Sequence, residues 1–173
     1  MSLPLVSIII PSLNEEEYIE ETLENLRKQT YPNIEIIVCD GDSVDDTVKI
    51  AKNYADKVIV QKTNIAQARN LGAENSKGDF LVFVDADTVL DKKWIELGVN
   101  VMRKQRNVVC VGGRVLPKIK EMKYRILYKI GWDLLPRIFA KFNCPQFTGV
   151  SIMVRRSVFE EIGGFNESTV SYT

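Results

Sequence analysis

The run Phe80-Leu-Val-Phe-Val84 breaks off into Asp85-Ala-Asp87, an apolar stretch that ends in two carboxylates one residue apart. Bounded by Gly78-Asp79 on its other side, the run predicts a strand covered on both faces, as in a parallel sheet. Ligands of open α/β sheets bind beyond the carboxyl ends of the strands, so Asp85 and Asp87 are expected to point into a cleft. Two oxygen ligands at one strand end suit a hard divalent cation, Mg²⁺ or Mn²⁺, which commonly also grips substrate phosphates. The alternative is that both aspartates cap a helix starting near Asp91, and D-x-D alone does not choose between the two.

The rest of the chain supplies the context. Leu5 to Ile10 is a β-branched run that Pro11 is expected to stop. Ser12-Leu-Asn14 then offers a helix cap, with Glu15, Glu16 and Glu17 at the positive end of a helix carrying Ile19, Leu23 and Leu26 on one stripe. Ile34 to Cys39 predicts a second strand, and Asp40 to Thr47 a polar turn in which Asp45 or Asp46 can cap the next helix. A third strand at Lys57–Val60, a helix from Asn64 to Ala73 and the strand at Phe80 follow. The order β-α-β-α-β-α-β with short connections implies an α/β fold with a Rossmann-like, mostly parallel sheet flanked by helices. Beyond it the spacing predicts a helix from Trp94 to about Arg103, β structure within Val108–Leu116, a strand at Phe147–Val154 and a short glycine-ended helix from Arg155 to Phe165.

At 173 residues the chain has the length of one domain. Its 23 Lys and Arg balance 23 Asp and Glu, which argues against a general nucleic-acid binder. The absence of histidine excludes Ser-His-Asp and Cys-His nucleophilic sites and imidazole metal ligands. Cys39, Cys110 and Cys144 are widely spaced and odd in number, the pattern of reduced thiols in a cytosolic protein. No signal peptide opens the chain, and its apolar runs are too short to span a bilayer.

Neither G-x-x-x-x-G-K-[ST] nor G-x-G-x-x-G follows the first strand, so a nucleotide would be held by other means. Acids gather instead at the expected carboxyl ends of three strands, at Glu15, at Asp40 with Asp42, and at Asp85 with Asp87. Such a gathering repels itself unless a cation or ligand donors meet it, which favours a metal-assisted nucleotide site.

With these pieces in order, the chain resembles the family-2 glycosyltransferases of GT-A fold. The resemblance rests on Val6 to Glu15, Ile36 to Thr47, Ala68-Arg-Asn-Leu-Gly72, Val84-Asp-Ala-Asp87, and a segment from Thr148-Gly149 through Arg155-Arg156 to Gly163-Gly-Phe-Asn-Glu167. It implies one GT-A domain over 1–173, with a nucleotide-sugar-binding half at 1–117 and an acceptor-side part at 118–173. By the same resemblance Pro11, Asn14 and Glu15 line the nucleotide pocket, and Asp40 accepts a hydrogen bond from the base. Arg69 sits near the nucleotide, Asp85 near the ribose or sugar with Ala86 beside it, and Asp87, with Asp85, serves the metal bridging the diphosphate. Asp42 departs from the small residue frequent at its position, which leaves its role open. Gly149, Arg155 and Arg156 are expected on the acceptor side, whereas Asn70 and Gly72 are expected to serve helix packing.

The resemblance further implies a UDP- or GDP-sugar donor, a glycan or lipid-linked acceptor in cell-envelope polysaccharide synthesis, and Mn²⁺ or Mg²⁺ dependence with inversion. Inverting relatives carry a Glu-Asp pair beyond the G-G-F-x-E element whose Asp is the base, and the sequence stops at Tyr172-Thr173 before one occurs. The expectation is a truncated chain that binds donor with little or no transfer. Residues 118–143 interleave Trp, Tyr and Phe with seven bases against Glu121 and Asp133. Such a helix either contacts an anionic membrane peripherally or packs on the acceptor side of the fold. The place of action is then the cytoplasm or the cytoplasmic face of a membrane. The rivals are a nucleotidyltransferase, which would want a glycine-rich phosphate loop after strand one, and a non-catalytic module that binds a sugar nucleotide or a partner.

Overall fold

A computed structural model describes residues 3–113 and 151–168. Their elements are β1 (Val6–Ser12), α1 (Ile19–Arg27), β2 (Ile34–Asp40), α2 (Thr47–Ala51), β3 (Lys57–Val60), α3 (Ile65–Glu74), β4 (Phe80–Val84), α4 (Trp94–Lys104), β5 (Cys110–Gly112), β6 (Ser151–Arg155) and α5 (Arg156–Glu161). The strands form a six-stranded sheet in the order β3-β2-β1-β4-β6-β5. The first four are parallel, with Val6 level with both Ile34 and Phe80. β6 runs antiparallel to β4 and to β5.

Alternation along buried strands assigns each side chain a layer. Ile8, Ile10, Ile36, Val38, Val82 and Val84 face one way, into a core closed by Ile19, Leu23 and Leu26 of α1 and Ile95, Val99 and Met102 of α4. Ile9, Leu81 and Phe83 face the other way, toward Ala73 of α3 and Phe159 of α5. Each large aliphatic side chain so buried contributes about 1.5–3 kcal/mol relative to leaving it in water. On the second face α3 lies very close to the sheet. A Cβ on Gly72 would stand 2.3 Å from Ile9 Cγ2, so the missing side chain sets the helix height, in agreement with the packing role expected of Gly72.

Two of the boundaries that differ from the sequence expectation do so for a clear local reason. β1 does not stop at Pro11 but runs to Ser12, with Pro11 opposite Cys39. The last β1 residue matched to β4 is Ile9, so at Pro11 one flank of the strand is an edge, the setting in which a proline is accommodated. Helix α1 begins only at Ile19, and its Tyr18 cap makes no side-chain bond. The backbone N–H groups of Asn14, Glu15 and Glu16 donate instead to Ser43 Oγ, Thr47 Oγ1 and Asp45 Oδ2, so residues 14–16 brace a neighbouring loop. By contrast α3 starts as its sequence suggests, in a capping box between Asn64 and Gln67.

Gly113 N donates to Ser151 O at 2.9 Å, beside the end of β4, where Ser151 is paired with Val84. Gly149, Cys144 and the basic segment 118–143 lie outside the described residues. Among the described residues no helix is long and apolar enough to cross a membrane. Cys39 is buried, and the loss of water pushes its thiol up to about 12, so it is inert packing; Cys110 is half-buried and also raised.

Candidate functional site

The strand order reverses between β1 and β4, from which the chain winds outward to β2 and β3 on one side and to β6 on the other. At such a switch point the loops leaving the carboxyl ends of adjacent strands diverge and open a crevice. The loop after β1 carries Asn14 and Glu15, and the loop after β4 carries Asp85, Ala86 and Asp87. The sequence-predicted acids therefore meet at one sheet edge.

Asp40 at the end of β2 is buried and receives four hydrogen bonds from the protein. Ser12 Oγ (2.9 Å) and Ser43 Oγ (2.6 Å) donate to Oδ2, while the N–H groups of Asp42 (3.1 Å) and Ser43 (2.7 Å) donate to Oδ1. Its carboxylate thus ties β1 to the turn after β2, and this bracing fills the acceptor positions that a nucleobase would use. Asn14, with φ 54°, closes the same joint by accepting from Val44 N at 3.0 Å. Asp42 has φ 80°, a conformation in which glycine is favoured. Pro11 is buried within β1.

Asp85 accepts a charge-assisted hydrogen bond from Arg69 Nη2 at 2.7 Å, with side chains 12% (Arg69) and 30% (Asp85) exposed. Burial raises the Asp85 carboxyl and outweighs the lowering by Arg69, while Asp87 raises it further. The Arg69 guanidinium also lies 5.4 Å from the centroid of the Phe165 ring. Ala86 is buried and its carbonyl accepts from Thr22 Oγ1 at 2.8 Å, which fixes the backbone between the two aspartates to α1. Asp87 is exposed at the mouth of the crevice. Glu15 is raised first by desolvation, then by the negative charges of Asp87, Asp45 and Asp85.

This mutual repulsion is what a cation relieves, and the donor chemistry fits Mg²⁺ or Mn²⁺. Among the described residues no three acids or cysteines are grouped closely enough to ligate one ion between them. An ion held here would take one or two carboxylates and fill its remaining positions with other oxygens.

Arg155 and Arg156 are not brought to this edge. β6 carries the chain away from it, placing Arg155 level with Phe80 at the amino end of β4. There Arg155 Nε donates to Val108 O at 3.0 Å, and its Nη2 to Met102 O. Arg156 donates to Gly78 O at 2.6 Å and Ala73 O at 3.1 Å. Their guanidinium groups are occupied by backbone carbonyls, and the residues that return to the crevice side are Phe165 and Glu167, next to Asn64 and Asn70 of α3. Sequence reasoning also missed the bracing roles of Ser43, Asp45 and Thr47, whose bonds to residues 14–16 reach across about thirty positions, where turn chemistry signals only local side-chain to backbone bonds.

The model of the family described as "Glycosyl transferase family 2" matches residues 7–163. Uncharacterized glycosyltransferase RP339 of Rickettsia prowazekii (strain Madrid E) is 32% identical over 98% of this chain and 56% of its own length. Glycosyltransferase AglE of Haloferax volcanii is 30% identical over 98% of this chain and 59% of its own. The chain thus spans little more than half the length of these curated relatives. Among solved structures, mannosyltransferase PcManGT of Pyrobaculum calidifontis, in complex with GDP-Man and Mn²⁺, superposes with a TM-score of 0.71 at 23% identity, covering 98% of this chain and 49% of that one. S. aureus TarS 1–349 gives 0.69 at 24% identity, covering 96% and 52%. These likenesses show a shared GT-A architecture.

Proposed function

The chain belongs to glycosyl transferase family 2, and from that membership we propose that it carries the donor site of an enzyme moving a sugar from a UDP- or GDP-sugar to a glycan or lipid-linked acceptor. The observation that carries the reading is the convergence of Glu15, Asp85 and Asp87 at the β1/β4 switch point, where, beside burial, the charge of Asp87 raises the carboxyls of Glu15 and Asp85.

Each residue then has a physical task. Asp87, exposed at the mouth, is the ligand for Mn²⁺ or Mg²⁺, and Asp85 supports it from a position fixed by Arg69. When bound, the ion supplies Lewis-acid stabilisation of the charge that develops on the leaving diphosphate. Asp40 and Asn14 hold the floor of the pocket by locking the loops after β1 and β2 together. Asp40 reaches the base only if the base displaces one of its present donors. Arg69, close to Asp85 and largely shielded from water, adds positive charge where the donor phosphates would lie. On this reading residues 1–117 form the donor half and 118–173 the acceptor-side part, with the basic stretch 118–143 meeting an anionic lipid surface at the cytoplasmic face of a membrane.

Calorimetric titration of UDP and GDP, with and without Mn²⁺, tests the donor site. The expected result is Mn²⁺-dependent binding of one nucleotide that Asp87→Ala abolishes. Binding indifferent to Mn²⁺ and to Asp87 would refute the assignment of the metal ligand. Flotation with anionic liposomes tests the membrane contact, which fails if the protein stays in the dense fraction.

A further inference from the structure

Asn70 sits in the middle of α3, where an asparagine contributes little to helix stability and where the helix start is already secured by Asn64 and Gln67. Its amide is turned outward onto another segment. Asn70 Oδ1 accepts from Phe165 N at 2.9 Å, and Nδ2 donates to Phe165 O and to Glu167 Oε1, each at 2.9 Å. A side chain that pairs with both the N–H and the C=O of one residue fixes that residue much as a neighbouring strand would. The loop is shaped to permit it. Gly163 and Gly164 turn the chain at φ 78° and 75°, and a Cβ on Gly164 would stand 2.7 Å from Asn70 Oδ1.

What the amide fixes is the Phe165 ring. It meets Phe83 edge-on at 4.9 Å between centroids and lies 5.5 Å from Phe159. The Arg69 guanidinium lies 5.4 Å from the same ring, and its Nη2 reaches Asp85 Oδ1 at 2.7 Å. We infer that Asn70 is a positioning residue: by clamping the main chain of Phe165 it holds that ring against Arg69 and thereby keeps Arg69 on Asp85. The inference rests on the donor-site reading for its functional meaning, whereas the clamp itself is a property of the free protein.

The test separates the two. In the 173-residue chain, NMR relaxation of the Arg69 Nε–H and hydrogen exchange of the Phe165 amide read the clamp without any ligand. Asn70→Ala should leave Arg69 disordered on the nanosecond scale and speed Phe165 exchange about tenfold or more, the equivalent of losing 1.4 kcal/mol. Asn70→Asp, which keeps the acceptor and loses the donor, should lie between. Asn75→Ala, which removes a bond to Leu71 O at the far end of α3, should lower the melting temperature without moving the Arg69 signal. In the same proteins the Mn²⁺-dependent affinity for nucleotide should fall about tenfold in Asn70→Ala and in Phe165→Leu, with the double variant no worse than either, as expected for residues acting in one chain of contacts. Arg69 as rigid in Asn70→Ala as in the wild type overturns the inference. Should Asn70→Ala not fold, an unchanged Arg69 signal in Asn70→Asp and in Phe165→Leu overturns it equally. If the wild type binds neither UDP nor GDP, the donor reading fails, and the Arg69 and Phe165 signals still decide the clamp.

Discussion

Arg69 Nη2 and Asp85 Oδ1 stand 2.7 Å apart, an ion pair that joins the middle of α3 to the end of β4. Removing one member of a shielded pair leaves the other charge uncompensated. Because Asp85 retains some access to water, Arg69→Ala should cost about 2 kcal/mol at pH 7, below the range for fully buried pairs. Arg69 lowers the Asp85 carboxyl, so its loss raises that group further above its ordinary value. The deficit should therefore be greatest near neutrality and shrink as acid neutralises Asp85 in both proteins. Urea titrations at pH 7 and pH 4 measure it.

Glu15 is raised as Asp85 is, but with no cation on it among the described residues. Its folded-state pKa is raised, so the folded protein holds the proton more tightly than the unfolded one, and the group stabilises the fold below its ordinary range and loses that effect as pH rises through the raised value. Glu15→Gln should raise the urea midpoint at pH 7 and leave it unchanged at pH values below the ordinary glutamate range. A lower midpoint at pH 7 would mean that repulsion from Asp87, Asp45 and Asp85 is already relieved in the free protein.

Asp42 occupies a left-handed backbone conformation at φ 80°. Asp42→Gly should raise stability by about 0.5 kcal/mol, the relief of the Cβ contact less the extra chain entropy of glycine. Asp42→Val should lower it by about 1 kcal/mol or more, since a branched Cβ tolerates that conformation least. Thermal unfolding of the two variants checks the order Gly above Asp above Val.

Gly72 has no room for a methyl group, with Ile9 Cγ2 at 2.3 Å and Cys39 Sγ at 3.1 Å from a Cβ built there. Gly72→Ala should cost about 1–3 kcal/mol by overpacking. In an Ile9→Ala background the same change should cost less, because the space opened at Ile9 admits the new methyl group. Chemical denaturation of the four proteins of this cycle gives the coupling.

The architecture was legible because its signals are periodic and local. Unbroken apolar runs at Ile36–Cys39 and Phe80–Val84 mark strands buried on both faces, and the Asn64 cap marks the start of α3. The gathering of Glu15, Asp85 and Asp87 followed from the rule for the carboxyl ends of parallel strands, which needs only the element order. Contacts between distant segments left no such trace. Nothing in the turn Asp40–Thr47 announces that its hydroxyls and carboxylates would bind the backbone of residues 14–16 and so delay α1, and nothing in Arg155-Arg156 tells that an antiparallel β6 carries them to the amino edge. The pairing of Asn70 with Phe165 likewise spans the full length of β4 to α5 in sequence, beyond the reach of any local pattern.

The hydrogen bond between Gly113 N and Ser151 O brings the two flanks of residues 114–150 together beside the end of β4. Where two anchors already touch, the length of chain between them enters stability only logarithmically, about 0.6 kcal/mol per doubling. A change in the number of residues between these anchors therefore costs the sheet little in loop-closure entropy. The acids of the β1/β4 crevice sit on the loops after β1 and β4, which the Gly113–Ser151 contact does not interrupt, so their placement does not depend on how many residues join the two anchors.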